Sequence, residues 1–160
     1  MRLISEKKKR EVIEQLLLLN YNKYYRLACS YVHNDSDAGD IVQNGAYKAI
    51  LHSHKLKNIK HAETWLYRIM LNEVFANYRD RESVSLEEVV YEQGKEDTYE
   101  NVDLQKAINT LEKKDRAVIV LRYFEEMKLE EIAMVLEENL STVKSRLYRS
   151  MKKLRLEMEE

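Results

Sequence analysis

The chain has 160 residues, with 27 Lys and Arg against 28 Asp and Glu, no proline, three glycines and a single cysteine. That length holds one ordinary domain or two small ones, and one thiol, Cys29, cannot close an internal disulfide and fits a reducing compartment. With no secretory signal pattern and no apolar run of roughly 18 residues, a soluble cytoplasmic protein is expected.

The net charge of −1 hides a segregated distribution. Residues 1–81 carry 14 cations and 9 acids, residues 82–103 carry Lys95 against eight acids, and residues 104–160 carry 12 cations and 11 acids. A basic module, an acidic connector and a third stretch with its cations gathered at the end suggest nucleic-acid contacts at both ends. Strand signals of alternating β-branched residues are missing, so the fold expected is all-α. It should consist of two small helical domains joined by an acidic flexible linker.

From Glu6 to His33 the pattern predicts one or two long helices. Lys7, Lys8, Lys9 and Arg10 stand where the helix dipole disfavours cations, so the ordered helix is expected to begin nearer Val12, behind a frayed basic tail. Tyr21, Tyr24, Tyr25, Leu27, Ala28 and Tyr31 form an aromatic and apolar face suited to a core. Asn34-Asp35-Ser36 is a turn and cap signal. A helix over Asp37 to Leu51 should bury Ala38, Ile41, Val42, Ala46, Ala49 and Ile50, with Asp37, Asp40, Asn44 and Tyr47 outward. Gly39 and Gly45 inside it cost about 1 kcal/mol each relative to alanine, predicting a locally weak helix that gains order on a partner.

His52 to His61 reads as a basic loop. Its His52-x-His54 pair lacks the further convergent ligands that a zinc site needs, so no metal and no cofactor is expected. The next helix, Ala62 to Arg81, should begin its buried face with Trp65, Leu66 and Ile69. Tyr67, Phe75 and Tyr78 alternate there with Arg68, Asn72, Arg79 and Arg81, a mixture in which rings can stack unpaired bases while cations meet their phosphates. Glu82 to Asp103 lacks helical periodicity and reads as a linker extended by self-repulsion.

Leu104, Ala107, Ile108 and Leu111 open the last domain, followed by a helix over Asp115 to Phe124 with Val118, Ile119, Leu121 and Tyr123 mostly buried. A short helix from Leu129 to Leu136 then shows an apolar stripe of Ile132, Ala133 and Leu136. After the break at Glu137-Glu138, Asn139 is an N-cap candidate. The final helix places Val143, Leu147, Met151 and Leu154 on one face and Lys144, Ser145, Tyr148, Arg149 and Lys152 on the other. From Ser141 to Arg155 there are six cations and no acid. Two amphipathic helices with a basic outer face are common. What favours a DNA-reading helix-turn-helix is the order TVKSRLYR, which puts lysine, hydroxyl, ring and arginine near the end that enters a major groove.

The string EEIAMVL followed by TVKSRLYR resembles the region 4 helix-turn-helix of extracytoplasmic-function (ECF) sigma factors of the sigma-70 superfamily, the small promoter-recognition subunits of bacterial RNA polymerase. YYRLACSYVHNDSDAGDIVQNGAYKAI resembles the polymerase-docking stretch of the same family, and WLYRI…N…R its promoter-melting segment. The resemblance covers about residues 13–81 and 104–155 in the family's order, leaving no segment for the extra domains of primary sigma factors. It implies region 2 over residues 1–81, a linker over 82–103 and region 4 over 104–160. Asp37, Asp40, Gln43 and Asn44 would then contact core polymerase. Trp65, Tyr67, Arg68, Asn72, Tyr78 and Arg79 would hold opened minus-10 bases. Lys144, Ser145, Tyr148 and Arg149 would read the minus-35 duplex, with Arg146, Lys152 and Lys153 chiefly on phosphates.

The function so implied is transcription initiation at selected promoters, in a stress or envelope response, under an anti-sigma factor that is often membrane-anchored. The family often has proline at 112 and glycine at 126 and 137; all three are glutamate here, which is tolerable at 137 if that residue avoids positive φ. Two other classes compete. A two-domain DNA-binding regulator outside the polymerase would share the C-terminal motif but leave the Asp37–Leu51 match unexplained. An enzyme would need a nucleophile–base pair, phosphate loop or metal cluster, and none is recognised.

Overall fold

The computed structural model describes residues 5–32, 34–81, 104 and 106–159, the side chains of 79–81 and 157–159 excepted. The described residues are helical, without strands, and they divide into two compact units, Met1–Val84 and Ser85–Glu160. The expected acidic linker, 82–103, lies outside the described residues.

The described residues of the first unit form four α-helices: α1 (Glu6–Leu19), α2 (Tyr21–Val32), α3 (Asp35–Leu51) and α4 (Ala62–Arg81). The basic start of α1 does not fray back to Val12. Ser5 caps the helix, its side chain accepting from Lys8 N–H, and Lys9 Nζ reaches the carbonyl of His54 at 3.4 Å. A cap and one tertiary tether thus offset the unfavourable dipole interaction. Asn20 separates α1 from α2. Asn34 caps α3 by accepting from Asp37 N–H at 3.0 Å, so that helix starts two residues earlier than the periodicity suggests. Between α3 and α4 the basic loop folds into two 3-10 turns, Ser53–Lys55 and Ile59–His61.

Ile13, Tyr24, Leu27, Ala28, Tyr31, Ile41, Val42, Leu56, Leu66, Met70, Leu71 and Val74 make the core of this unit. Tyr21 is exposed and Tyr25 half-buried, so only part of the tyrosine-rich face points inward. Burial raises the hydroxyl pKa of Tyr25 to about 12. Burial also pushes the Cys29 thiol up, which disfavours the reactive thiolate. Across α3 and α4, Lys48 Nζ bonds to Glu73 Oε1 at 2.6 Å, giving the buried Glu73 carboxylate a cationic partner.

Among the described residues of the second unit, a helical turn, α5 (106–109), is followed by α6 (Lys113–Ile119), a π-helical turn over Val120–Phe124, α7 (Leu129–Leu136) and α8 (Leu140–Glu159). Glu112, where proline would be usual, caps α6 by accepting from Lys114 N–H at 2.8 Å. Tyr123, expected inside, is half exposed. The π turn has a wider period than an α-helix, and Arg122, Tyr123 and Phe124 at its end are all exposed. Glu126 and Glu137 both take the left-handed conformation, with φ of 55° and 57°. The condition under which a side chain at 137 would be tolerated without strain, avoidance of positive φ, is therefore not met. The turn keeps its geometry although the residue lacks glycine's freedom.

Candidate nucleic-acid and polymerase interfaces

The helix-turn-helix is built as the sequence suggests at its centre. Asn139 Oδ1 accepts from Thr142 N–H and from Ser141 Oγ, each at 2.9 Å, which starts α8 and fixes the turn after α7. Ile132, Val135 and Leu136 from α7 are buried, as are Val143, Leu147 and Leu154 from α8. Lys144, Ser145, Tyr148, Arg149 and Lys152 are all exposed, Tyr148 by 71%. The Tyr148 ring contributes nothing to the core and is accessible among the cations of that face.

Arg146 is placed differently from its neighbours. Its guanidinium forks onto Glu138, Nε to Oε1 at 2.8 Å and Nη2 to Oε2 at 2.9 Å, while Nη1 meets Asp115 Oδ1 at 2.8 Å and Glu112 at 3.5 Å. Only 15% of its side chain is exposed. The pairing with Glu138 raises the arginine pKa further and holds that carboxyl below the usual carboxylate range. Phosphate neutralisation, expected of Arg146, is thus reassigned: its charge already bridges α6, the helix-turn-helix turn and α8. Sequence reading missed Asp115 and Glu138 as partners, because contacts across 31 and 8 residues leave no periodic signal.

On α4 the aromatic and basic residues part company. Trp65, Arg68 and Asn72 fall at i, i+3 and i+7, one stripe of the helix; Trp65 and Arg68 are half-buried and Asn72 is exposed. Tyr67 lies on the opposite face, 2% exposed, with its ring edge-on to Tyr24 at 5.1 Å. It is a core residue and cannot stack a captured base in this conformation. Tyr78 also leans inward, half-buried and edge-on to Tyr31 at 5.5 Å. Arg79 lies outside the side chains described. The mixed sequence hid this split because Trp65 and Tyr67 are close in the chain yet about 200° apart around the helix.

The outward strip of α3 carries Asp40, Gln43 and Asn44, all exposed, with Asp37 half-buried at its start. Tyr47 (66% exposed) and Leu51 (54%) continue it. Opposite this strip, Ala38, Gly45 and Ala49 form a buried line of small residues. That spacing was the available sign of a close helix approach.

A family model described as Sigma-70 region 2 matches residues 16–84, and one described as Sigma-70, region 4 matches residues 101–154. The chain is 36% identical to the RNA polymerase sigma factor SigV of Bacillus subtilis, over 94% of this chain and 96% of the relative. It is 30% identical to the RNA polymerase sigma-E factor of Streptomyces coelicolor, over 91% and 85%, and 28% identical to the ECF RNA polymerase sigma factor SigW of B. subtilis, over 87% and 84%. Among solved structures it resembles the sigma factor RpoE from Bartonella quintana, crystallised with the anti-sigma factor NepR, at a TM-score of 0.73 and 26% identity over 91% of this chain and 96% of that one. The fold of CnrH, solved with the cytosolic domain of CnrY, is also similar, with a TM-score of 0.72 over 92% and 87% at 23% identity. With both sigma regions present in order and relatives matched along nearly their whole length, the chain belongs to the ECF group of the sigma-70 family of RNA polymerase sigma factors.

Proposed function

We infer that this protein is an alternative sigma factor that joins core RNA polymerase, confers promoter-specific transcription initiation, and serves a stress or envelope response in the cytoplasm. The observation that carries the reading is the exposed set Lys144, Ser145, Tyr148, Arg149 and Lys152 on the second helix of a helix-turn-helix. Lys144, Ser145, Tyr148 and Arg149 lie in the N-terminal half of α8, where major-groove base edges are reached. Lys152 and Lys153 sit further along and suit the phosphate backbone.

In the first unit, Trp65, Arg68 and Asn72 offer an indole, a guanidinium and an amide on one stripe. That set can stack and hydrogen-bond an unpaired base of the opened minus-10 strand. The α3 strip from Asp37 to Asn44 is the core polymerase contact, and Tyr47 and Leu51 add apolar area of the kind that anchors protein interfaces. We assign residues 1–81 to region 2, 82–103 to an acidic linker and 104–160 to region 4. The protein acts as a non-catalytic subunit. Among the described residues no helix is long and apolar enough to cross a membrane. An anti-sigma factor is the inhibitory partner, by analogy with the complex of RpoE with the anti-sigma factor NepR.

The test is transcription in vitro from a genomic fragment library with core polymerase, with and without the protein, together with a pull-down of core polymerase. Discrete new start sites and capture of the core support the assignment. Sequence-specific DNA binding without core capture would instead identify a regulator that acts outside the polymerase.

A further inference from the structure

We propose that Asp115 is a specificity-determining positioning residue, which aims the Arg149 guanidinium at the minus-35 duplex although Asp115 itself belongs to α6 and lies outside the DNA-reading helix. Asp115 Oδ1 accepts from Arg146 Nη1 at 2.8 Å and from Arg149 Nη2 at 3.3 Å. Only 12% of the Asp115 side chain is exposed, whereas 61% of Arg149 is exposed. One carboxylate oxygen therefore joins a fixed arginine to a solvent-facing one.

The fixed side of this link is rigid. Arg146 is held by the two-pronged contact with Glu138 in the turn before α8, and Lys114 Nζ adds a contact to Glu138 at 3.5 Å. Position therefore passes from the turn through Arg146 and Asp115 to the tip of Arg149. A free arginine on a helix surface samples many rotamers, and a two-pronged base contact accepts few of them. A tether that removes the unsuitable rotamers before binding strengthens the matching base pair over the others. The acid also disfavours phosphate close by, which weakens non-specific DNA binding and increases discrimination in the same direction.

This rests on the base-reading role of Arg149, and the experiment separates the two. Holoenzyme assembled from core polymerase and the full chain is used to select from a randomised duplex, and the bound pool is sequenced for wild type, Arg149→Ala, Asp115→Asn, Asp115→Glu and the Asp115→Asn/Arg149→Ala pair. Arg149→Ala is expected to flatten the preference at one base pair. Asp115→Asn is expected to reduce the preference at that same base pair about 3- to 10-fold, a part of what a whole two-pronged contact supplies, with non-specific binding unchanged or stronger. Asp115→Glu should retain most of the preference, and the pair should match Arg149→Ala alone. If Arg149→Ala leaves every position unchanged, base reading fails and the tether has no role. If it flattens one position while Asp115→Asn alters none, or weakens all sequences equally, the tether alone is refuted. Side-chain nitrogen relaxation on the wild-type chain needs no variant. Arg149 should be more ordered than the exposed Arg155 on the same helix, and equal mobility would overturn the proposal.

Discussion

Gly45 of α3 lies directly over Met70 of α4: a Cβ added to the glycine would stand 2.5 Å from Met70 Sδ and 3.3 Å from its Cε. Gly39, one and a half turns earlier, has nothing within 4 Å of the same added atom. The two glycines that look alike in the sequence are thus different objects. Gly45 leaves room for the Met70 side chain, and Gly39 only lowers helix propensity. Gly39→Ala should stabilise the protein by about 0.5–1 kcal/mol. Gly45→Ala should destabilise it by about 1 kcal/mol net, since displacing the buried Met70 costs more than the propensity gained. Chemical denaturation of the two variants checks the opposite signs.

Positive φ at Glu126 and Glu137 gives a second pair of stability changes. A left-handed residue with a Cβ is strained by roughly 1–2 kcal/mol, and glycine is not, although it loses more entropy on folding. Glu126→Gly and Glu137→Gly should each raise stability by about 0.5–1 kcal/mol, read as an upward shift of the melting temperature. A drop in either variant would mean that the side chain's own contacts outweigh the backbone strain.

Two arginine and lysine substitutions should separate fold from DNA contact. Lys152 is exposed on α8, and Lys152→Ala should lower the slope of log affinity against log salt by about 0.9 with little change in stability. Arg146→Ala should leave that slope nearly unchanged and cost about 3 kcal/mol, because Glu138 and Asp115 lose their main counter-charge in a largely buried setting. Filter binding over a salt series, paired with thermal melts, distinguishes the outcomes.

The same network makes the second unit acid-sensitive. Glu138 titrates below its ordinary value of 4.5, chiefly because Arg146 hydrogen-bonds its ionised form. A carboxyl depressed on folding contributes stability that is present above the unfolded value and is lost as pH falls through the folded one. Arg146, shifted upward, stays charged throughout that window. Stability should therefore decline below about pH 4.5 in the wild type. The decline should be shallower in Glu138→Gln, which lacks the ionisation and starts from lower stability at neutral pH. Parallel pH profiles would exclude Glu138 as the source.

Tyr67 and Tyr148 make the sharpest contrast between core and contact. Tyr67 is 2% exposed and Tyr148 is 71% exposed. Tyr67→Ala should destabilise the first unit by about 3–5 kcal/mol, as removal of a buried aromatic does. Tyr148→Ala should change stability by less than about 0.5 kcal/mol yet reduce transcription from the selected promoter. Circular dichroism melts beside transcription assays report both.

Periodicity and capping were enough to recover α4 at its full Ala62–Arg81 extent, the break at Glu137 to Asn139, and the exposed set on α8, since these depend on neighbours within a turn or two. What the chain alone did not reveal are the relationships between helices. Tyr67 faces Tyr24, Gly45 seats Met70, Lys48 meets Glu73, and Arg146 turns from solvent toward Glu138 and Asp115. The reason is physical. Helical spacing states which residues share a face, but the neighbour which that face meets is chosen by packing among residues distant in the chain. An arginine near the boundary of a face becomes a DNA contact or an internal brace according to whether carboxylates are brought within reach.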